Sequence, residues 1–90
     1  MSAPASYKNV TASGSIKSGS GVIYYALLTA AGDTATLILY DNTAGSGTII
    51  LKLSAAANTS VSAFLGPAAF NLGVYAALTG TSPSATIIYR

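Results

Sequence analysis

The chain is 90 residues long, has no cysteine and no histidine, and sets four cations against two carboxylates for a net charge of +2. That length makes one small domain without disulfides or the commonest zinc ligands to stabilise it. Charged residues make up only 7%, with Lys8, Lys17, Lys52 and Arg90 scattered, which argues against a phosphate-binding surface and points to a homo-oligomer, since so neutral a lone monomer invites self-association.

Residues 1–6 are small and proline-containing and read as a flexible or docking arm. They show neither a basic region nor an apolar core of a signal peptide, so a cytoplasmic product is expected. Tyr7–Ala12 follows as a first strand, with Tyr7, Asn9 and Thr11 on one side and Lys8, Val10 and Ala12 on the other. Ser13–Gly21 reads as a Gly/Ser-rich connection. Its Lys17-Ser18 pair is preceded by Ile16 where a phosphate-cradling loop needs glycine.

Gly21–Thr29 is rich in β-branched and aromatic residues and apolar on both faces. Ile23, Tyr25 and Leu27 are expected on one, and Val22, Tyr24, Ala26 and Leu28 on the other. Such a strand is central in its sheet or covered by a neighbouring subunit. A turn at Ala30–Asp33 leads to the clearest unit of the chain. Thr34–Tyr40 and Thr48–Ser54 are two strands around the small-residue loop Asp41–Gly47. Ala35, Leu37 and Leu39 are expected inward, as are Ile49, Leu51 and Leu53.

Ser54–Thr59 has room for no more than a helical turn. Ser60–Leu65 reads as a short strand, with Val61 and Ala63 opposed to Ser62 and Phe64, and Gly66–Gly73 reads as a loop or corner, because Gly66-Pro67 breaks the ladder. Gly73–Thr79 and Ser84–Arg90 are expected to form a final hairpin across Gly80–Pro83. Tyr25-Ala26, Leu28-Thr29, Ala35-Thr36 and Ile38 recur fifty residues later as Tyr75-Ala76, Leu78-Thr79, Ala85-Thr86 and Ile88. This echo is either a duplicated hairpin or convergence in an Ala/Thr-rich chain. The rhythm of seven to eight short strands predicts an all-β domain over residues 7–90, an antiparallel β-sandwich or jelly-roll-like small barrel. No apolar run reaches the roughly 20 residues of a membrane-spanning helix.

Chemistry-bearing patterns are absent from the sequence. General acid–base catalysis usually uses histidine or paired carboxylates, whereas Asp33 and Asp41 each sit beside an expected turn. A calcium loop needs several carboxylates, and Asp41-Asn42-Thr43 holds one, better suited to capping a loop. The candidate catalytic, cofactor-binding and metal-ligating residues are therefore none, and no cofactor is expected. The six tyrosines fit a sugar-stacking surface or, more simply, strands apolar at the base and wet at the tip.

The segments Gly21–Tyr24, Leu39–Thr48, Phe70–Tyr75, Leu78–Gly80 and Ala85–Arg90 resemble small virion structural proteins of tailed bacteriophages, a likeness spanning about residues 14 to 90. The resemblance implies a β-sandwich or jelly-roll module that decorates or cements capsids, or builds head fibres and tail parts, commonly as a trimer. It carries over no individual functional residue. The expectation is a non-enzymatic capsid decoration protein, located in the virion. Its partners would be copies of itself and a major capsid or other virion protein, with no nucleic acid and no membrane. Alternatives are a tube or filament subunit and a small glycan-binding module. Thr36–Tyr40, Thr48–Leu53 and Ala85–Tyr89 would be aggregation hazards on an open sheet edge, so those edges are expected to be paired or covered.

Overall fold

The computed structural model describes residues 5–90, which form eight strands and no helix. The strands are β1 (Ser6–Val10), β2 (Gly14–Ser18), β3 (Gly21–Thr29), β4 (Ala35–Asp41), β5 (Thr48–Ala55), β6 (Ser60–Phe70), β7 (Gly73–Thr79) and β8 (Ser84–Tyr89). They build two four-stranded antiparallel sheets, β1-β8-β3-β6 and β2-β7-β4-β5. Of the expected arm, residues 1–4 lie outside the described residues, and Ser6 already belongs to β1.

The two sheets pack face to face because each presents one apolar side. Ile23, Ala26, Leu28, Phe70, Ala85 and Ile87 from the first meet Leu37, Leu39, Ala55, Val74, Ala76 and Leu78 from the second. Among the described residues, six of the fifteen buried apolar residues are alanine, and no polar residue is buried. Such a core is thin, so its few large side chains carry much of the burial.

The first strand pairs with the last, the second with the seventh, the third with the sixth and the fourth with the fifth. Further pairings of β3 with β8 and β4 with β7 complete the sheets. Only β4–β5 is a hairpin; six of the seven connections cross from one sheet to the other. The expected final hairpin is therefore corrected. β7 and β8 lie in opposite sheets, joined by an arch over Gly80–Pro83 whose Pro83 is buried. The β3–β4 connection is an arch of the same kind, tied at Ala30 and Ala31 to the 56–59 turn by backbone hydrogen bonds. The fifty-residue echo marks these two arches, which lie against each other with β3 on β8 and β4 on β7. Their registers differ: Leu28 pairs with Ala85, but Leu78 pairs with Leu37 rather than Ala35.

Five further expectations are revised. The Gly/Ser-rich stretch contains β2, held by Ile16 in the core and by pairing to β7. No helical turn forms in 54–59, because β5 runs on to buried Ala55. β6 does not stop at Gly66-Pro67 but passes through it. Between Ile23↔Ala68 and Tyr25↔Phe64 it carries two more residues than β3, and proline is tolerated in such a bulge on an edge strand. The same irregularity turns β3 over. Ile23, Ala26 and Leu28 point inward, while Tyr25 pairs outward beside exposed Phe64. In β5 the extra residue Ile50 likewise sends Ile49 outward opposite Tyr40, leaving Leu51 and Leu53 facing Leu39 and Leu37.

Candidate interaction faces and edges

The polar groups weighed for chemistry are occupied structurally. Asp41 ends β4, and its Oδ1 accepts the backbone N–H groups of Asn71 and Leu72 at 3.0 and 2.8 Å. One carboxylate thereby fastens the β6–β7 turn to the end of the neighbouring sheet. Asn42 Oδ1 accepts the Thr43 N–H while its Nδ2 donates to the Ser46 carbonyl, so the loop oxygens close the hairpin tip on itself. Asp33 Oδ1 accepts the Thr34 N–H at 2.9 Å, a local turn bond at the opposite end of the sandwich. The two carboxylates are thus not brought together. Among the described residues no three potential metal ligands cluster, and no concave pocket opens. Lys17-Ser18 lies in β2, not in a loop opening a helix.

The tyrosines form no single stacking platform: Tyr7 and Tyr25 lie in a row of one sheet, Tyr40 and Tyr75 in a row of the other, and Tyr89 packs against the core. On the β1-β8-β3-β6 sheet, Tyr7, Ile88, Tyr25 and Phe64 stand in register across all four strands. Tyr7 is 77% exposed and Phe64 76%, so the ends of this row are open to solvent. The next row along the strands is Asn9, Thr86, Leu27 and Ser62, where Asn9 Nδ2 donates to Thr86 Oγ1 at 2.8 Å. A third row sets Thr29 between Ser84 and Ser60, with the Thr29 and Ser60 hydroxyls 3.0 Å apart. None of these positions is charged.

The opposite face repeats the aromatic theme in a more covered form. Ser15, Tyr75, Tyr40 and Ile49 share a row across the β2-β7-β4-β5 sheet. The hairpin loop lies over it, so close that a β-carbon on Gly45 would sit 3.0 Å from Tyr75 Cε1. Thr36 and Thr79 pair their hydroxyls further along. Lys52, beside Ile38, is the charge that this face carries at its β5 border.

The four outermost strands are β1, β6, β2 and β5. All three lysines of the chain are on them: Lys8 on β1, Lys17 on β2 and Lys52 on β5. Lys8 reaches from β1 across the open side of the sandwich and donates to the Ser15 carbonyl of β2 at 3.2 Å. Lysine on an edge strand hinders pairing with a foreign strand. β6 has no charged residue; its second half is interrupted by the bulge at residues 65–67, and its first half, Ser60–Phe64, is regular. Of the segments expected to need cover, Thr36–Tyr40 and Ala85–Tyr89 are paired on both sides, while Thr48–Leu53 is an edge bearing Lys52. The sequence set Phe64 on the face opposite Val61 and Ala63, but that this face is outward and that Phe64 ends an aromatic row depend on a register that the sequence does not state.

No protein-family model matches the chain, and neither a curated protein nor a solved structure matches it.

Proposed function

We propose that the protein is a non-enzymatic virion structural subunit, a capsid decoration or cement protein that self-associates and packs on a viral shell. The carrying observation is the three uncharged rows on the outer face of the β1-β8-β3-β6 sheet, one of them an in-register apolar row ending in the exposed rings of Tyr7 and Phe64. Large exposed apolar groups arranged as a patch mark interaction surfaces. A flat row of this kind suits packing against another protein better than enclosing a small ligand. The order of pairing, first strand with last and so inward to β4–β5, supports reading the sandwich as a jelly roll. That architecture serves capsid proteins and also lectins, so it supports the reading without deciding it.

In this reading the partners are further copies of the chain, with the trimer implied by the phage-protein resemblance, and a major capsid protein beneath them. Catalysis, nucleic acid and membrane have no part in it, and the place of work is the virion. No helix among the described residues is long and apolar enough to cross a membrane.

Light scattering on the purified protein across a dilution series tests the proposal. A discrete oligomer that persists on dilution, and that co-sediments with empty capsids of its virus, is expected. Growth into long particles would replace decoration by a filament subunit. A monomer at every concentration that retains a sugar on a glycan array would replace assembly by glycan binding through the Tyr7–Phe64 row.

A further inference from the structure

Resting on this assembly reading, we infer that the β6 edge from Ser60 to Phe64 pairs antiparallel with the same edge of a second copy across a two-fold axis, joining two four-stranded sheets into one of eight strands. The distribution of charge selects this edge. β1, β2 and β5 each present a lysine against an incoming strand, and the regular half of β6 presents none. Only a strand that is itself uncharged finds a fully neutral ladder there, and among the described residues the one such edge is β6. Contact between like edges is isologous and closes at two copies.

The side chains of β6 suit such a pairing. Val61 and Leu65 pack against the core, whereas Ser60, Ser62 and Phe64 are exposed on the other side. Antiparallel partners share a face, so inward residues must oppose inward ones and outward residues outward ones. That parity places one residue opposite itself on the axis, and Ser62 or Ala63 is the centre that keeps most of Ser60–Phe64 paired. The apolar row Tyr7–Ile88–Tyr25–Phe64 of one copy then runs up to its counterpart in the other. The bulge at Gly66-Pro67 ends the pairing on one side, which limits the contact to a finite register. A trimer formed through the outer faces would use a different surface, so the two contacts are compatible in one assembly.

The test puts onto β6 the guard that the other edges already carry. Ser62→Lys, at an exposed outward position, sets two like charges near the axis and is expected to weaken the edge contact by about tenfold or more. By light scattering its particle mass falls to half that of the wild type, or to a monomer. Ser54→Lys adds the same charge on β5, whose edge already bears Lys52, and leaves the mass unchanged. The chain has no cysteine, so Ser62→Cys gives an independent reading that does not need the lysine variant to fold. A short bismaleimide joins it into a covalent dimer, because partners at the axis lie about 5 to 8 Å apart, whereas Ser54→Cys stays single. An oligomeric wild type whose mass ignores Ser62→Lys, with no cross-link at position 62, overturns the edge pairing and leaves the assembly reading standing. A wild type that is monomeric at all concentrations overturns both. Cross-linking of position 62 to another virion protein alone would give the edge to a foreign strand and also overturn it.

Discussion

At the scale of single residues, the chain uses its scarce polar groups as fasteners. Asp41 is the clearest case, since two backbone donors of the 71–72 turn converge on one carboxylate oxygen at the end of β4. Asp41→Ala leaves both amides without that acceptor and is expected to cost about 1–2 kcal/mol. Asp41→Asn retains an oxygen and loses less. Chemical denaturation of both variants checks this, and equal losses would show that charge rather than the acceptor matters. Gly21 illustrates the opposite constraint, close approach. It pairs with Phe70, and a β-carbon there would meet the Phe70 ring at 2.8 Å and collide with the Arg90 carbonyl. The ring fills the space that the glycine leaves, so a large core residue and an absent side chain form one unit.

At the scale of elements, β2 shows how tertiary pairing makes a strand from an unpromising segment. Gly14–Ser18 contains one large apolar residue, Ile16, which is 6% exposed. Beyond its last pair, the Ser13 hydroxyl accepts the Leu78 N–H and donates to the Leu78 carbonyl, so a side chain continues the ladder where the backbone turns away. Ile16→Ala is expected to destabilise the fold by about 2–4 kcal/mol. It should also release β2 first: amide hydrogen exchange across Gly14–Ser18 would rise more than in β3 or β4. Uniform loss of protection would mean that β2 unfolds only with the whole domain. β5 and β6 show the effect of added residues, one in β5 and two in β6. Each bulge reverses which side chains face outward, and Ile49, Tyr25 and Phe64 come to the surface through such shifts or beside them.

For the whole molecule, the charge distribution separates two kinds of surface. The lysines stand on three of the four edges, while the row from Tyr7 to Phe64 and the two rows beside it are uncharged. Association through such surfaces draws on apolar burial, at roughly 25 cal/mol per Å², and on neutral hydrogen bonds. Added salt therefore has little to screen. The association constant, followed by sedimentation equilibrium, is expected to change by less than about tenfold between low and high salt. A steeper fall would assign the contact to Lys8, Lys17, Lys52 or Arg90 and count against the neutral face.

Alternation of apolar and polar residues was enough to read the all-β class and the inward face of β4, because the side-chain period of a strand is a local property. Leu37 and Leu39 inward, and Asp41 as a turn carboxylate, were legible in that way. The sequence also showed that β3 was apolar on both sides, which its central position explains. Sheet membership was decided only in three dimensions. The β3–β4 and β7–β8 connections look like hairpin turns from within, but each crosses the sandwich, because β3 finds its partners in β6 and β8, over thirty residues away or more. The bulges, the strand nature of 14–18 and the alignment of Tyr7 with Phe64 across four strands arise from the same cause. They are properties of register between distant segments, and a chain written in one dimension does not contain the register.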